Sequence, residues 1–364
     1  MKVKVIRAKL VDALKSVQNV VAGKGSLAVL QNVLIEANGN EMKLTTTDLE
    51  LSIVSSCECE VVEPGATTLP VKLLFNSVIK LVEGVVEISV DENQLAKIVC
   101  GSANYRIQGI SESEFPKLPK AEDSYSYNIQ QNVLKEMFRK VAYAASQDDT
   151  RRALKGVLMS FKENKLTMVA TDGRRLALIE NEIEVSKTAE SDIVLPSKVV
   201  QELQRLLEGE EEISIKIQKS QVCFKTSTVT IYSKLIDEVY PNYQQVIPSS
   251  IKEEVEIDRQ LLLDALERVS VMTMDEAHST KLIFTSGKLT VTSAVSQIGE
   301  ATDEVPIKYV GEKLEIIFNP SYVMDPLKAI DDDEVKIKLN DGHSPAVIQC
   351  ALPFIYVLMP LRIS

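Results

Sequence analysis

Histidine is nearly missing from the chain, with His278 and His343 the whole supply. That scarcity removes the commonest general base and a frequent metal ligand from most of the sequence. Both read as loop residues, His278 in a polar run after a helical pattern and His343 in the turn Asp341-Gly342-His343-Ser344-Pro345. The five cysteines, Cys57, Cys59, Cys100, Cys223 and Cys350, are odd in number and unclustered, which excludes a disulfide framework and a zinc spacing and leaves buried structural thiols as the expectation. No stretch approaches the roughly 18 consecutive apolar residues of a membrane span. The first residues alternate Lys2, Lys4 and Arg7 with Val3, Val5 and Ile6, a strand pattern and not a signal peptide, so the expected location is cytoplasmic. Gly23-Lys24-Gly25-Ser26 lacks the earlier glycine of a phosphate loop and follows a helix where such a loop follows a strand. The acidic clusters lack the alternating oxygen ligands of a calcium loop. No metal and no cofactor is expected.

Against those absences stands an internal repeat. Lys43-Leu44-Thr45, Lys165-Leu166-Thr167 and Lys288-Leu289-Thr290 fall at intervals of 122 and 123 residues. A tripeptide can recur by chance, so its neighbours decide, and they recur in phase. Upstream lie amphipathic runs: Leu10, Val11, Leu14 and Val17; Val133, Leu134, Met137, Phe138 and Val141; Leu261, Leu262, Ala265, Leu266 and Val269. That spacing lines one stripe of a helix. Downstream, Leu69-Pro70, Leu195-Pro196 and Asn319-Pro320 each open a second helical pattern, and proline is expected in its first turn, where a missing N–H costs nothing. Acidic turns and strands follow. In the middle copy Ile213, Ile215 and Ile217 alternate with polar residues, the period of a strand with one buried face.

A unit therefore reads strand, helix, strands, helix, strands. The expected class is α+β, three similar domains, each with two helices packed on antiparallel sheets. Polar stretches at 117–127 and 248–254 place the expected domains at residues 1–120, 121–249 and 250–364. Each is about 120 residues, enough to bury a core of its own.

One run departs from the repeat. The middle copy has Thr171-Asp172-Gly173-Arg174-Arg175-Leu176-Ala177 where the first has Thr47-Asp48-Leu49-Glu50-Leu51 and the third Thr292-Ser293-Ala294. Asp-Gly signals a hairpin turn, which accounts for the glycine but not for the paired arginines. Taken with Phe115-Pro116-Lys117-Leu118, with Tyr240-Pro241-Asn242-Tyr243, Val246 and Pro248, and with the terminal Tyr356-Val357-Leu358-Met359-Pro360-Leu361-Arg362, this run resembles the β subunit of bacterial DNA polymerase III, the sliding-clamp family. The resemblance covers the whole chain.

It implies a DNA clamp fold that forms a ring as a head-to-tail homodimer, helices lining the hole and sheets outside; heterologous contacts that close make rings. The implied function is a non-catalytic processivity factor that encircles duplex DNA without reading its sequence and tethers the replicative polymerase, raising that enzyme's effective concentration at the primer end. Implied partners are the polymerase, the clamp loader and repair proteins carrying clamp-binding peptides, and no membrane. Dimer contacts carry over to Tyr105, Ile107, Val271 and Met272, which would also suit ordinary core positions. The peptide pocket carries over to Leu154, Thr171, Gly173, Arg174, Arg175 and Leu176 from the middle unit, with Pro241 and Val246 after it. From the last unit come Asn319, Tyr322, Val357, Met359, Pro360 and Leu361. Relatives often have histidine where Arg174 stands and a basic residue where Gln245 stands, which bears on the polar rim and not on the apolar floor.

A net charge of −11 argues against a uniformly basic nucleic-acid binder, so the distribution matters. Lys9, Lys15 and Lys24 accompany the first helix, Lys72 and Lys80 the second, and Lys135, Arg139 and Lys140 the third, while carboxylates gather in the turns after the second helices. The third unit's first helix, with Asp258, Asp264 and Glu267 against Arg259 and Arg268, is not basic. The phosphate contacts expected by similarity are Lys24, Arg151, Arg152 and Lys198, with Lys72, Lys80, Lys135 and Arg139 beside them. Two other readings stay open on the residues alone: an enzyme with Asp172 as base and the arginines as anion clamp, and a DNA-free scaffold of the same fold.

Overall fold

The computed structural model describes residues 1–21, 27–118, 125–185, 190–273, 279–295, 299–351 and 353–361; Lys24, its glycine-flanked loop and His278 lie outside them. Among the described residues are six α-helices, two per sequence repeat: α1 (Arg7–Val17), α2 (Val71–Val78), α3 (Gln131–Val141), α4 (Ser197–Leu206), α5 (Arg259–Ser270) and α6 (Pro320–Ala329). The apolar stripes explain them. In α1 Leu10, Leu14 and Val17 are buried, and in α5 Leu262, Ala265, Leu266 and Val269.

Each first helix starts with the same contact. The N–H groups of Arg7, Gln131 and Arg259 donate at 2.9 Å to the carbonyls of Gly84, Glu211 and Asp333. The side chains then turn to the end of the second helix, whose last carbonyls lack intrahelical partners. Arg7 donates to the carbonyls of Val78 and Ile79, and Arg259 to that of Leu327 and, in the turn beyond the helix, to that of Asp332. In the middle repeat Gln131 accepts from the N–H of Glu208, and Lys135 supplies the cation to the carbonyl of Leu207.

The prolines need a correction. Only Pro320 lies inside a helical first turn; Pro70 and Pro196 are N-cap residues that still close the strands Gly65–Pro70 and Ser191–Pro196. Their extended ψ angles, 110° and 140°, belong to the strand, and both strands are sheet edges, where proline's missing N–H is tolerated.

The chain divides into two compact units, residues 1–131 with 208–235, and residues 132–207 with 236–364. Every strand ladder is antiparallel. In the first unit an eight-stranded sheet is assembled from two repeats: Leu51–Glu58 of the first pairs with Val229–Lys234 of the second, Ile53 opposite Ile231. In the second unit the corresponding strands do the same: Arg175–Glu182 pairs with Phe354–Leu358, Ala177 opposite Tyr356. This seam joins the fourth strand of one repeat to the last strand of the next. Two strands of the pattern stay open. Gly299–Pro306, the third repeat's counterpart of Leu51–Glu58 and Arg175–Glu182, is an outer strand of the four-stranded sheet. Ala103–Gln108, the first repeat's last strand, is an outer strand of the five-stranded sheet.

Alternation holds where it was read, with Ile213, Ile215 and Ile217 all buried. The thiols are less buried than expected. Cys59 and Cys100 are buried, but Cys57, Cys223 and Cys350 are only half-buried. Burial, helped by Cys59, pushes the Cys57 thiol up to about 12, so it stays protonated at neutral pH.

Candidate functional site

The Thr171–Arg175 run is a hairpin loop locked by its own side chains. Thr171 Oγ1 donates to the carbonyl of Arg175 at 2.6 Å and accepts from the N–H of Gly173 at 3.1 Å. Asp172 Oδ1 accepts from the N–H groups of Arg174 and Arg175 at 2.8 and 3.0 Å. Gly173 sits at φ +84°, the left-handed region that glycine enters without steric cost. The first repeat builds the same loop: Thr47 accepts from Leu49 N–H, and Asp48 accepts from Glu50 and Leu51, with Leu49 at φ 76° in glycine's place.

Strand alternation then splits the residues proposed for one pocket between two faces. Leu176 lies opposite Val357 in the seam, and both belong to an apolar cluster with Leu158, Val169, Leu178, Val194 and Val347. Tyr240, Tyr243 and Ile247 from the 240s segment cover that cluster, and Tyr240 donates to the carbonyl of Val169 at 3.4 Å. The ladder runs one step further, Met359 N–H donating to the carbonyl of Arg174 at 2.9 Å, and Leu361 N–H bonds the carbonyl of Ile317 at 2.7 Å. The tail is thus pinned on both sides. Pro241 and Val246 are exposed, and Leu154, Met359, Pro360 and Leu361 are half-buried at the edge of this floor.

Arg175 points to the opposite face. Its side chain is 10% exposed and pairs with Asp172 at 3.1 Å and with Asp325 of α6. Nη2 donates to the carbonyl of Tyr143 at 2.7 Å, and the guanidinium lies 4.3 Å from the ring centroid of Tyr322. Burial opposes its charge, yet Tyr356 and Asp325 outweigh burial and raise its pKa. Arg175 therefore holds the wall in place from behind, a role that sequence reasoning missed. Tyr356 was missed too. Its hydroxyl donates to the carbonyl of Tyr322 at 2.7 Å, the group that Pro326, four residues along α6 and without an N–H, cannot satisfy. Asn319 caps α6 by accepting from the N–H of Ser321 at 3.0 Å. Asp172 accepts from two backbone N–H groups and from Arg175, which makes it an anchor of its own loop and not a general base. An open depression of about 540 Å³ at the far end of these strands, lined by Glu163, Asn164, Lys165, Glu182, Ile183 and Glu184, contains none of the expected residues.

Family models of the DNA polymerase III β subunit match the chain in order: the N-terminal domain over residues 1–119, the central domain over 128–242 and the C-terminal domain over 244–362. The chain belongs to the DNA polymerase III β-subunit family. The β sliding clamp of Chlamydia muridarum is 30% identical over 363 residues, covering 100% of this chain and 99% of its own. That of Pseudomonas putida is 31% identical over 362 residues, 98% of each. The crystal structure of the Pseudomonas aeruginosa DnaN sliding clamp bound to griselimycin superposes with a TM-score of 0.96 at 30% identity over 100% of both chains. The Bacillus subtilis clamp gives 0.95 at 26%, again over 100% of both. The chain is a DNA sliding clamp, the non-catalytic processivity subunit of DNA polymerase III. The enzyme reading falls with that finding and with the committed Asp172.

The basic residues of this clamp are not equivalent. Lys72, Lys80 and Arg152 are exposed without an ion pair among the described residues. Arg139 is held by Glu136 and by Asp331, which its guanidinium keeps below the usual carboxylate range, so it adds little net positive charge. Lys135 is turned to the carbonyl of Leu207, and Lys140 is 4% exposed. Arg151 leans over the Thr171–Arg175 loop, 3.3 Å from the carbonyl of Asp172, and Lys198 is exposed on α4. Of the residues expected at a dimer contact, Val271 is 60% exposed and Tyr105 half-buried, while Ile107 is 4% exposed, packed within its own sheet. Met272 is half-buried, its methyl 2.8 Å from where a Cβ on Gly299 would stand. None of the helices described is long and apolar enough to cross a membrane.

Proposed function

We propose that two copies close head to tail into a ring around duplex DNA, the outer strand Ala103–Gln108 of one chain pairing with the outer strand Gly299–Pro306 of the other. The observation that carries this reading is the seam. It occurs twice within the chain, and the two strands left open are its two halves. Tyr105 and Ile107 lie on one of these strands, and Val271 and Met272 lie in the repeat that bears the other, just after its first helix. The matches of the three family models support three modules close to residues 1–120, 121–249 and 250–364. Lys24, Lys72, Lys80, Arg151, Arg152 and Lys198 are our candidates for phosphate contacts, with Arg139 and Lys135 demoted by their internal partners.

The floor made by Leu176 and Val357, with Val246, Pro241, Met359 and Leu361 at its edge, is proposed as the site that captures short peptides from the polymerase, the clamp loader and repair proteins. Apolar walls with methionine repack around different ligands, which suits many partners. The absence of a membrane-length helix among the described residues is in keeping with a cytoplasmic location.

The ring is tested by topology. Clamp loaded on closed circular DNA should persist at salt concentrations that strip phosphate-binding proteins, because threading carries no counterion-release penalty, and should leave once the circle is cut. Equal retention on linear and circular DNA would show that charge alone holds it.

A further inference from the structure

Three sulfur atoms share one face of the first unit's eight-stranded sheet. Met42, the second residue after the hairpin turn between Asn32–Asn38 and Glu41–Thr47, stands directly opposite Cys57 in the ladder. Opposed residues point to the same face, and so do residues two apart on one strand. Cys59 lies two beyond Cys57 and continues the ladder, its N–H donating to the carbonyl of Asn40 at 3.0 Å. The three side chains are therefore neighbours, since the Cβ atoms of a directly opposed pair stand about 5 Å apart. Met42 is fully buried and Cys59 nearly so, while half-buried Cys57 leaves the cluster open on one side.

The fold does not require sulfur here. The other repeats turn their hairpins at the same place, Lys162 opposite Lys165 and Thr285 opposite Lys288, where the first has Asn38 opposite Glu41. The positions of Met42, Cys57 and Cys59 are then Leu166, Asn181 and Ile183 in the second repeat, and Leu289, Val305 and Ile307 in the third. Neither copy holds a sulfur at any of them. Charge around the first repeat's cluster suits a cation: the Glu41 carboxylate acts on both thiols, and Lys9, the ammonium that acts on Cys57, is held by Glu58 at 2.6 Å. Among the described residues no three histidine, cysteine or carboxylate groups come together to hold a metal ion. Zinc, which takes four such ligands, is thereby a poor fit. A thioether completes the set only for a soft cation, and thiolate with thioether selects copper(I).

We propose that Met42, Cys57 and Cys59 form a three-sulfur site for copper(I). Each thiol that ligates gives its proton to solvent, and copper enters as Cu+, so no electron is exchanged. The site belongs to the first unit, whereas Leu176 and Val357 of the peptide floor belong to the second.

Copper(I) offered to the full-length protein as its bicinchoninate complex, without oxygen and under reductant, tests this, because the chelate loses its colour as the protein withdraws copper. The unaltered protein should take one Cu+ per chain. Cys57→Asn with Cys59→Ile, which installs the second repeat's own residues, should abolish uptake, while Cys223→Ser with Cys350→Ser should leave it intact. Altering even a residue that only supports a metal ligand costs roughly tenfold or more in affinity, so Met42→Leu should lose at least that. No uptake by the unaltered protein, or equal uptake in the Cys57→Asn, Cys59→Ile variant, would overturn the proposal. X-ray absorption at the copper edge needs no variant: it should show three sulfur neighbours, and nitrogen or oxygen among them overturns the assignment. Two sulfur neighbours, with affinity unchanged in Met42→Leu, would remove the thioether and with it the three-sulfur site.

Discussion

Tyr356→Phe removes a single oxygen from a fully buried side chain. That hydroxyl is the donor to the carbonyl of Tyr322, 2.7 Å away, and Pro326 denies the carbonyl its helical N–H. A buried acceptor left alone costs about 1 to 3 kcal/mol. For a unit of this size each kcal/mol lowers the melting temperature by roughly 2 to 4 °C. Much of this range could also come from a generic packing defect, so the single variant does not identify the cause. The decisive step repeats the substitution in Pro326→Ala, where residue 326 offers Tyr322 the N–H that proline lacks. Tyr356→Phe should then cost about 1 kcal/mol less, a coupling well above the ~0.5 kcal/mol within which unconnected changes add. Urea denaturation of the four proteins, followed by circular dichroism, measures the cycle. If Tyr356→Phe costs the same in both backgrounds, the hydroxyl is not serving the orphaned carbonyl and the account of this contact is wrong.

Other outcomes follow from single side chains. Val271→Glu should give a folded monomer of 40.3 kDa in place of a dimer, since the side chain is 60% exposed and the charge burdens only an intermolecular contact; light scattering at micromolar concentration reads the mass, and a persisting dimer refutes the contact. Ile107→Glu should unfold its own sheet, so it makes a poor probe of assembly. Met359→Ala should weaken peptide binding by about ten- to hundredfold, the loss of ~1.4 to 2.8 kcal/mol at a hot spot, with dimerisation intact. Leu49→Gly, which relieves a left-handed φ of 76° at a half-exposed position, should raise the unfolding midpoint slightly, the ~1 to 2 kcal/mol of relieved strain being partly offset by the flexibility glycine adds to the unfolded chain. A lowered midpoint would mean that the loop draws more from Leu49 than its backbone loses.

Helices were legible because each displays its own evidence: Leu10, Leu14 and Val17 record a buried stripe whatever they pack against. Strand alternation read Ile213 to Ile217 correctly for the same reason. What the sequence could not display was direction at the Thr171–Arg175 loop. Arg174 and Arg175 look alike in a motif, yet one lies on the face of Leu176 and the other is pinned to Asp325, 150 residues away. Charge suffered likewise. Arg139 and Lys140 counted as cations on an exposed face, but Asp331 claims the first and burial the second. A partner that distant leaves no periodic trace.

The seam has one more consequence. Where it recurs within the chain, a parted pair of strands stays tethered by the polypeptide and finds its partner again at high effective concentration. At the open edges, where two chains are proposed to meet, no such leash exists, and strands that separate there can drift apart. A ring built this way needs no specially weakened joint to serve as its gate; joints of one design suffice, and which of them swings open is decided by covalent connectivity.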